Sequence, residues 1–386
     1  MLKRFKVKAA HAGLIASLGF NVIAKMPGIV SVFIILPLVA KALGTMAYGE
    51  LQSALALGTL CTLPFGGIKM VGRRLLATSV GDDDRTRQAN IFLTTTVFMT
   101  LATVGAIVVL LGASVGHKWS NQVFIWIGLL PILAGFLNTF DNLRASYNEH
   151  YITALFQLIC QMVIYFAVYH FGIPSRDVML AGLSLQLPFA LASLFTLIAL
   201  LGVRPYLLKG RVVELQRMVL PALGVVMADG ALSALLNLSV YWLDAMGDAK
   251  MAAWLGTFVR LFQSFMSPVL LILFPLTSYI AIHWKKFSPE RQNFMHKLFV
   301  IAGFGYGAAV GLLMALGGPL YINHMFKLEV HGDKSDVIAL SLFMGAIITQ
   351  KAYTMVVDSV AEARFIYYGT LMITLFGVGA SGVSMQ

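Results

Sequence analysis

"NVIAKMPGIVSVF", residues 21–33, places Lys25 two positions before Pro27-Gly28 in the middle of a run that is otherwise apolar. Between Gly13 and Ala40 no other ionisable side chain occurs. A helix over that run rises 1.5 Å per residue and outlasts the roughly 30 Å hydrocarbon layer of a bilayer, so it reads as a membrane span with Lys25 roughly 20 Å in, near mid-depth. A cation there costs roughly 2.5–3.5 kcal/mol on insertion scales, which marks the position as one that faces water or a partner.

Working outward, hydrophobic residues make up 59% of the 386-residue chain, charged residues only 12%, and the mean hydropathy is +0.82. Soluble domains carry about a quarter charged residues, so the composition specifies a polytopic membrane protein. The net charge of +11 does not call for a nucleic-acid partner, because the Lys and Arg fall mainly in short gaps between apolar runs. Cys61 and Cys160 each lie inside such a run, as small hydrophobes, so neither a disulfide nor a metal pair is expected. The first run is not followed by a small-residue cleavage site, and the first helix is expected to stay in the protein.

Apolar runs long enough to span occupy 13–40, 48–70, 89–113, 122–140, 151–172, 178–203, 218–243, 251–282, 297–321, 336–359 and 366–384. Of the 28 Lys and Arg, Lys25, Lys69, Arg260 and Lys351 lie within these runs. Alternate connections give one side Lys41, Lys118, Arg176, Lys250, Lys327 and Lys334, and the other side the remaining 18, which places the N-terminus in the cytoplasm. Trp119, Trp126, Trp242 and Trp254 near outer ends, and Trp284 near an inner end, read as interfacial anchors.

The longest inner connection, "VRPYLLKGRVVELQR" (203–217), is basic and reads as a hinge between two halves. The domains expected are a six-helix bundle over 1–203, a basic cytoplasmic linker over 204–217, and a bundle of about five helices over 218–386. A shift of 203 residues lays "KALGTMAYGELQ" (41–52) over "DAMGDAKMAAWL" (244–255), matching Gly44 with Gly247 and bringing Lys25 within one residue of Asp229. Parallel repeats of this kind build transporters with a cavity between the halves.

The candidate site residues are the ionisable ones at depth. Lys25 has two readings, a cavity cation beside a helix locally broken at Pro27-Gly28, and a structural pair with Asp229. Arg260 in "GTFVRLFQSF" is too deep to snorkel, has Gln263 on the same face, and suits bidentate phosphate recognition unless carbonyls hold it for packing. Lys351 in "IITQKAYTM" is a third cavity candidate; Asp229 is either a counter-ion or a protonatable coupling group. Asp141 and Arg144, three apart at a helix end, read as an interfacial ion pair, Lys69 as snorkelling to the inner surface, and Gly307-x-x-x-Gly311 as a close-packing face. There is no P-loop, HExxH, nucleophile elbow or paired-carboxylate motif, and the short outer connections leave no room for a catalytic domain, so no enzyme and no cofactor is expected.

"ILPLVAKALGTMAYGELQSALALGTLCTLPFGGIKMVGRR" (35–74), with Leu43-Gly44, Tyr48-Gly49, Gly66-Gly67 and Arg73-Arg74, resembles the opening of the polysaccharide transporters. These are Wzx-type flippases of the multidrug/oligosaccharidyl-lipid/polysaccharide (MOP) superfamily. Residues 241–278 and 317–348 resemble that family's seventh-to-tenth-span region. The resemblance implies an all-α membrane protein of about eleven transmembrane helices in two pseudo-symmetric, MATE-like bundles, with the last helix of the second bundle missing. It implies a flippase in the bacterial inner membrane that moves a polyprenyl-pyrophosphate-linked oligosaccharide through a cationic cavity by alternating access. Glycosyltransferases and a polysaccharide polymerase are the partners it implies. Relatives carry cavity-facing basic residues in the first and eighth spans, positions matched by Lys25 and Arg260. On these grounds Lys25, Arg260, Lys351 and Gln263 are expected to bind substrate, Asp229 to couple or balance charge, and Pro27 and Gly28 to act as a hinge. The rival readings are a drug or metabolite antiporter of the same superfamily and a non-transporting scaffold for polysaccharide assembly.

Overall fold

The computed structural model describes residues 2–114, 121–147, 149–174, 176–213, 215–226, 231–283, 287–328 and 334–360, with the side chains of some helical residues, Lys25 and Lys351 among them, outside that description. Among these residues all regular structure is helical. In lipid every buried backbone N–H and C=O must find its partner within the chain, and a helix meets that demand inside each segment. The protein is a multi-pass membrane protein: among the described residues, six helices are long and apolar enough to cross a bilayer.

The helices are α1 (Leu2–Cys61), α2 (Leu63–Gly81), α3 (Arg85–Ser114), α4 (Asn121–Ala145), α5 (His150–Phe171), α6 (Val178–Val203), α7 (Leu215–Val225), α8 (Ala231–Ala245), α9 (Ala249–His283), α10 (Pro289–Phe326) and α11 (Lys334–Val360). Their ends lie close to the hydropathy boundaries. Within α1 the first two apolar runs are separated by a kink at Gly44, which has φ 76° and ψ 165°. The second run is itself interrupted at Thr62, and α2 restarts with Pro64 in its first turn, where a missing N–H costs nothing. The seventh run is described over α7 and α8, and Asp229, with residues 227–230, lies outside the described residues. The eleventh run, 366–384, also lies outside them.

Gly44 and Gly247, the pair matched by the 203-residue shift, both take positive φ (76° and 95°), a conformation open to glycine at little cost. By contrast, α1 stays helical through Pro27 and Gly28, where the Ser31 hydroxyl donates to the Gly28 carbonyl at 2.7 Å. The helix is thus unbroken at Pro27-Gly28, and the Gly44 kink is the turn expected between the first two runs.

Helices α4, α5 and α6 pack on one another and on α1, while α9 packs against α8, α10 and α11. The two groups meet chiefly where α1 lies along α9 and α8, and α2 along α7. Contact there is backbone to backbone: a Cβ on Gly49 would sit 2.0 Å from the Ala249 carbonyl oxygen, and one on Gly67 2.2 Å from that of Ala222. The 204–217 connection is not a free hinge along its whole length. A 3-10 turn at Pro205–Lys209 buries Leu207, Gly210 lies against the Ala89 carbonyl, and the Arg211 N–H donates to Asn90 at 2.7 Å, fastening this part to α3.

Trp126 and Trp242 are exposed, as anchors should be, whereas Trp254 is 5% exposed and stacks on Phe258 at 5.1 Å, so it packs the interior instead. Trp119 and Trp284 fall outside the described residues.

The Gly307-x-x-x-Gly311 face does pack closely: a Cβ on Gly307 would lie 2.3 Å from Thr349 Oγ1 and 2.4 Å from the Gly345 carbonyl. Gly305, on the exposed side of α10, has open space. Gly307→Leu is therefore expected to destabilise the protein by about 2 kcal/mol and lower its thermal midpoint in detergent, while Gly305→Ala leaves the midpoint unchanged or slightly higher.

Candidate functional site

Between α1, α8 and α9 lies a small cleft lined by Gln52, Thr59, Asn237, Arg260 and Gln263 together with Ala56, Val240, Gly256 and Val259. Gln52 and Thr59 are seven residues apart, two turns along one face of α1. Arg260 and Gln263 are neighbours at i, i+3 on α9, as their spacing predicts.

Arg260 Nε donates to Gln52 Oε1 at 2.7 Å. Room for that amide is made by Gly256, one turn earlier on α9, where a Cβ would sit 2.7 Å from the Gln52 Cβ. Below the amide, the Tyr48 and Thr257 hydroxyls meet at 3.1 Å, so α1 and α9 share a short polar seam inside an apolar one. Gln52 is 2% exposed, and its Nε2 has no partner among the described residues. Nor does Arg260 have a carboxylate partner among them. The described lining thus offers one guanidinium, two further amides and a hydroxyl, and no acid.

Sequence reasoning found Arg260 and Gln263 but missed Gln52, Thr59 and Asn237. The available signal was a lone amide in each of two apolar runs, "GELQSALAL" and "SALLNLSV". Lys25, Lys351 and Asp229, expected beside Arg260, have their side chains outside the described residues.

The other deep polar groups are held differently. Arg144, 2% exposed, places Nε 3.2 Å from Glu149 and donates Nη1 to the Thr196 carbonyl at 3.2 Å. Glu149 in turn accepts two hydrogen bonds from Arg204, which lies over the Tyr147 ring at 3.9 Å. Burial works against the Arg204 charge, but the Glu149 carboxylate outweighs it and holds the guanidinium above its ordinary pKa. Asp141 is not the partner of Arg144: it accepts from Ser193 at 2.6 Å and Asn138 at 3.0 Å. Nor does Lys69 snorkel, because its ammonium donates to Asn138 at 3.2 Å inside the helix packing. Each of these groups found a nearer partner on a neighbouring helix than sequence spacing could reveal.

No protein-family model matches the chain, and no curated protein matches it in sequence. Solved structures do. A ligand complex of the MATE multidrug transporter DinF-BH matches with TM-score 0.69 at 13% identity, over 93% of this chain and 85% of that one. The eukaryotic MATE transporter AtDTX14 matches with TM-score 0.64 at 12% identity, covering 93% and 84%. An inward-facing multidrug resistance MATE family transporter of the MOP superfamily matches with TM-score 0.56 at 14% identity, covering 94% and 87%. The chain has the MATE transporter fold. In that fold the cleft at Arg260 lies along the contact between the two helix groups, on α1 and α9.

The two deep arginines differ in a measurable way. Glu149→Gln leaves the buried Arg144 without its carboxylate and is expected to cost about 3 kcal/mol, seen as a lower thermal midpoint. Arg260→Met removes a cation that has no acid beside it among the described residues, so the midpoint should stay the same or rise. An equal loss at both positions would show that Arg260 is a packing residue.

Proposed function

We propose that the chain is a transporter that moves a lipid-pyrophosphate-linked oligosaccharide across the bacterial inner membrane, from the cytoplasmic to the periplasmic leaflet. The observation that carries this reading is the lining of the α1/α9 cleft: a deep guanidinium with no described acid beside it, flanked by amides and a hydroxyl. A guanidinium suits phosphate or acidic-sugar oxygens, amides suit sugar hydroxyls, and the polyprenyl tail stays in lipid outside the cleft. Lys25 and Lys351 add positive charge to the same path, Asp229 balances or couples it, and Pro27 with Gly28 bends α1 as access alternates. Residues 1–203 and 218–386 act as the two moving halves, with the N-terminus in the cytoplasm. Glycosyltransferases and a polysaccharide polymerase supply and consume the cargo.

The fold itself favours a second reading, a drug or metabolite antiporter, because the structures it resembles include multidrug transporters. A cationic drug calls for acid in the cleft, and the described lining has none. A scaffold role predicts indifference to lumen charge.

Complementation decides among these. In a flippase-deficient bacterium matched for glycan, the wild type should restore surface polysaccharide, and Lys25→Ala and Arg260→Ala at equal membrane expression should lower it at least tenfold. Restoration by both variants would overturn the cationic-lumen mechanism, and resistance to cationic drugs without restored polysaccharide would favour the antiporter.

A further inference from the structure

Arg260 belongs to α9 and the amide that holds it belongs to α1, so the hydrogen bond between them crosses the contact between the two helix groups. A guanidinium can grip an oxyanion by two edges, the side edge through Nε and one Nη, or the end edge through both Nη groups. Gln52 occupies Nε, and both Nη groups are without hydrogen-bond partners among the described residues. The side edge is taken, which leaves the end edge for the cleft that Arg260 lines.

The amide can reach Nε because Gly256 has no side chain; a Cβ there would lie 2.7 Å from the Gln52 Cβ and 2.9 Å from its Cγ. Gln52 is also nearly fully buried, so its aim is set by packing and not by solvent.

We propose that Gln52 is a positioning residue that aims the Arg260 guanidinium at an anionic cargo, and that this aim exists only while α1 and α9 are in contact. The site then holds its oxyanion tightly in the arrangement described here, and loosens its grip when the helix groups part and Gln52 withdraws. Affinity and access are linked through one bond between a neutral amide and a cation. This rests on the reading of the cleft as an anion site.

The test is calorimetric titration of the full-length protein in nanodiscs with inorganic pyrophosphate as the probe, at fixed salt. Arg260→Ala should abolish binding; an unchanged affinity, or no binding by the wild type, overturns the anion-site reading and the proposal with it. Gln52→Leu should weaken binding about tenfold, the size of one hydrogen bond to a charged group. Gly256→Ala, whose added Cβ meets the Gln52 side chain first, should produce a similar loss, and the double variant no more than either alone. Additive losses, or binding by Gln52→Leu equal to wild type while Arg260→Ala is dead, overturn the positioning role. Gln52→Glu covers the case in which Leu fails to fold: its carboxylate keeps the geometry but neutralises the guanidinium, and binding should fall further than with Leu. If it binds as well as wild type, Gln52 does not govern the aim or charge of Arg260 and the positioning role is overturned.

Discussion

The contact between α1 and α9 is the constraint on which the rest of the architecture depends. Helices associating in lipid gain no hydrophobic driving force, so close packing and polar contacts must hold them. Here the chain removes side chains where the backbones meet: Gly49 against Ala249, Gly256 against Gln52, and Gly67 against Ala222 at the α2/α7 contact. Glycines at these points let a short polar seam, Tyr48 with Thr257 and Gln52 with Arg260, sit between apolar surfaces without being pushed apart. The cleft is the space left beside that seam.

Much of this was legible in the sequence because lipid makes its demands locally. A span must be apolar for its whole length and helical throughout, so run length located α3, α5 and α6 to within a few residues. The shared glycine of the two halves was visible too, and both copies take positive φ. What could not be read were interruptions that depend on tertiary packing. Pro27 looked like the break in α1, yet the helix runs on through it.

Side-chain partnerships were the least legible. Spacing of three along a helix suggested Asp141 with Arg144, but a neighbouring helix supplied Ser193 for the acid, and the turn after α4 supplied Glu149 for the base. Trp254 likewise left the membrane surface to stack on Phe258. For Asp141 and Arg144 the competing partner is on another helix or in the turn beyond α4, where periodicity carries no trace of it; Phe258, four residues from Trp254 on α9, is a neighbour that spacing does show. Arg260 was found because its cost is intrinsic to its depth; Gln52 was missed because an amide in an apolar run is only mildly expensive until its partner is known.

The choice of partner for each deep arginine follows from what the group must do. Arg144 is closed off at 2% exposure and is given a carboxylate, which compensates its charge at short range and leaves it little to offer a ligand. Arg260 is open to the cleft and is given an amide oxygen, which orders the side chain but leaves the charge uncancelled. A carboxylate at position 52 would satisfy Arg260 better and make it useless as an anion receptor. The weaker partner is what keeps the cation available, and placing that partner on α1 instead of α9 ties its availability to whether the two helix groups are together.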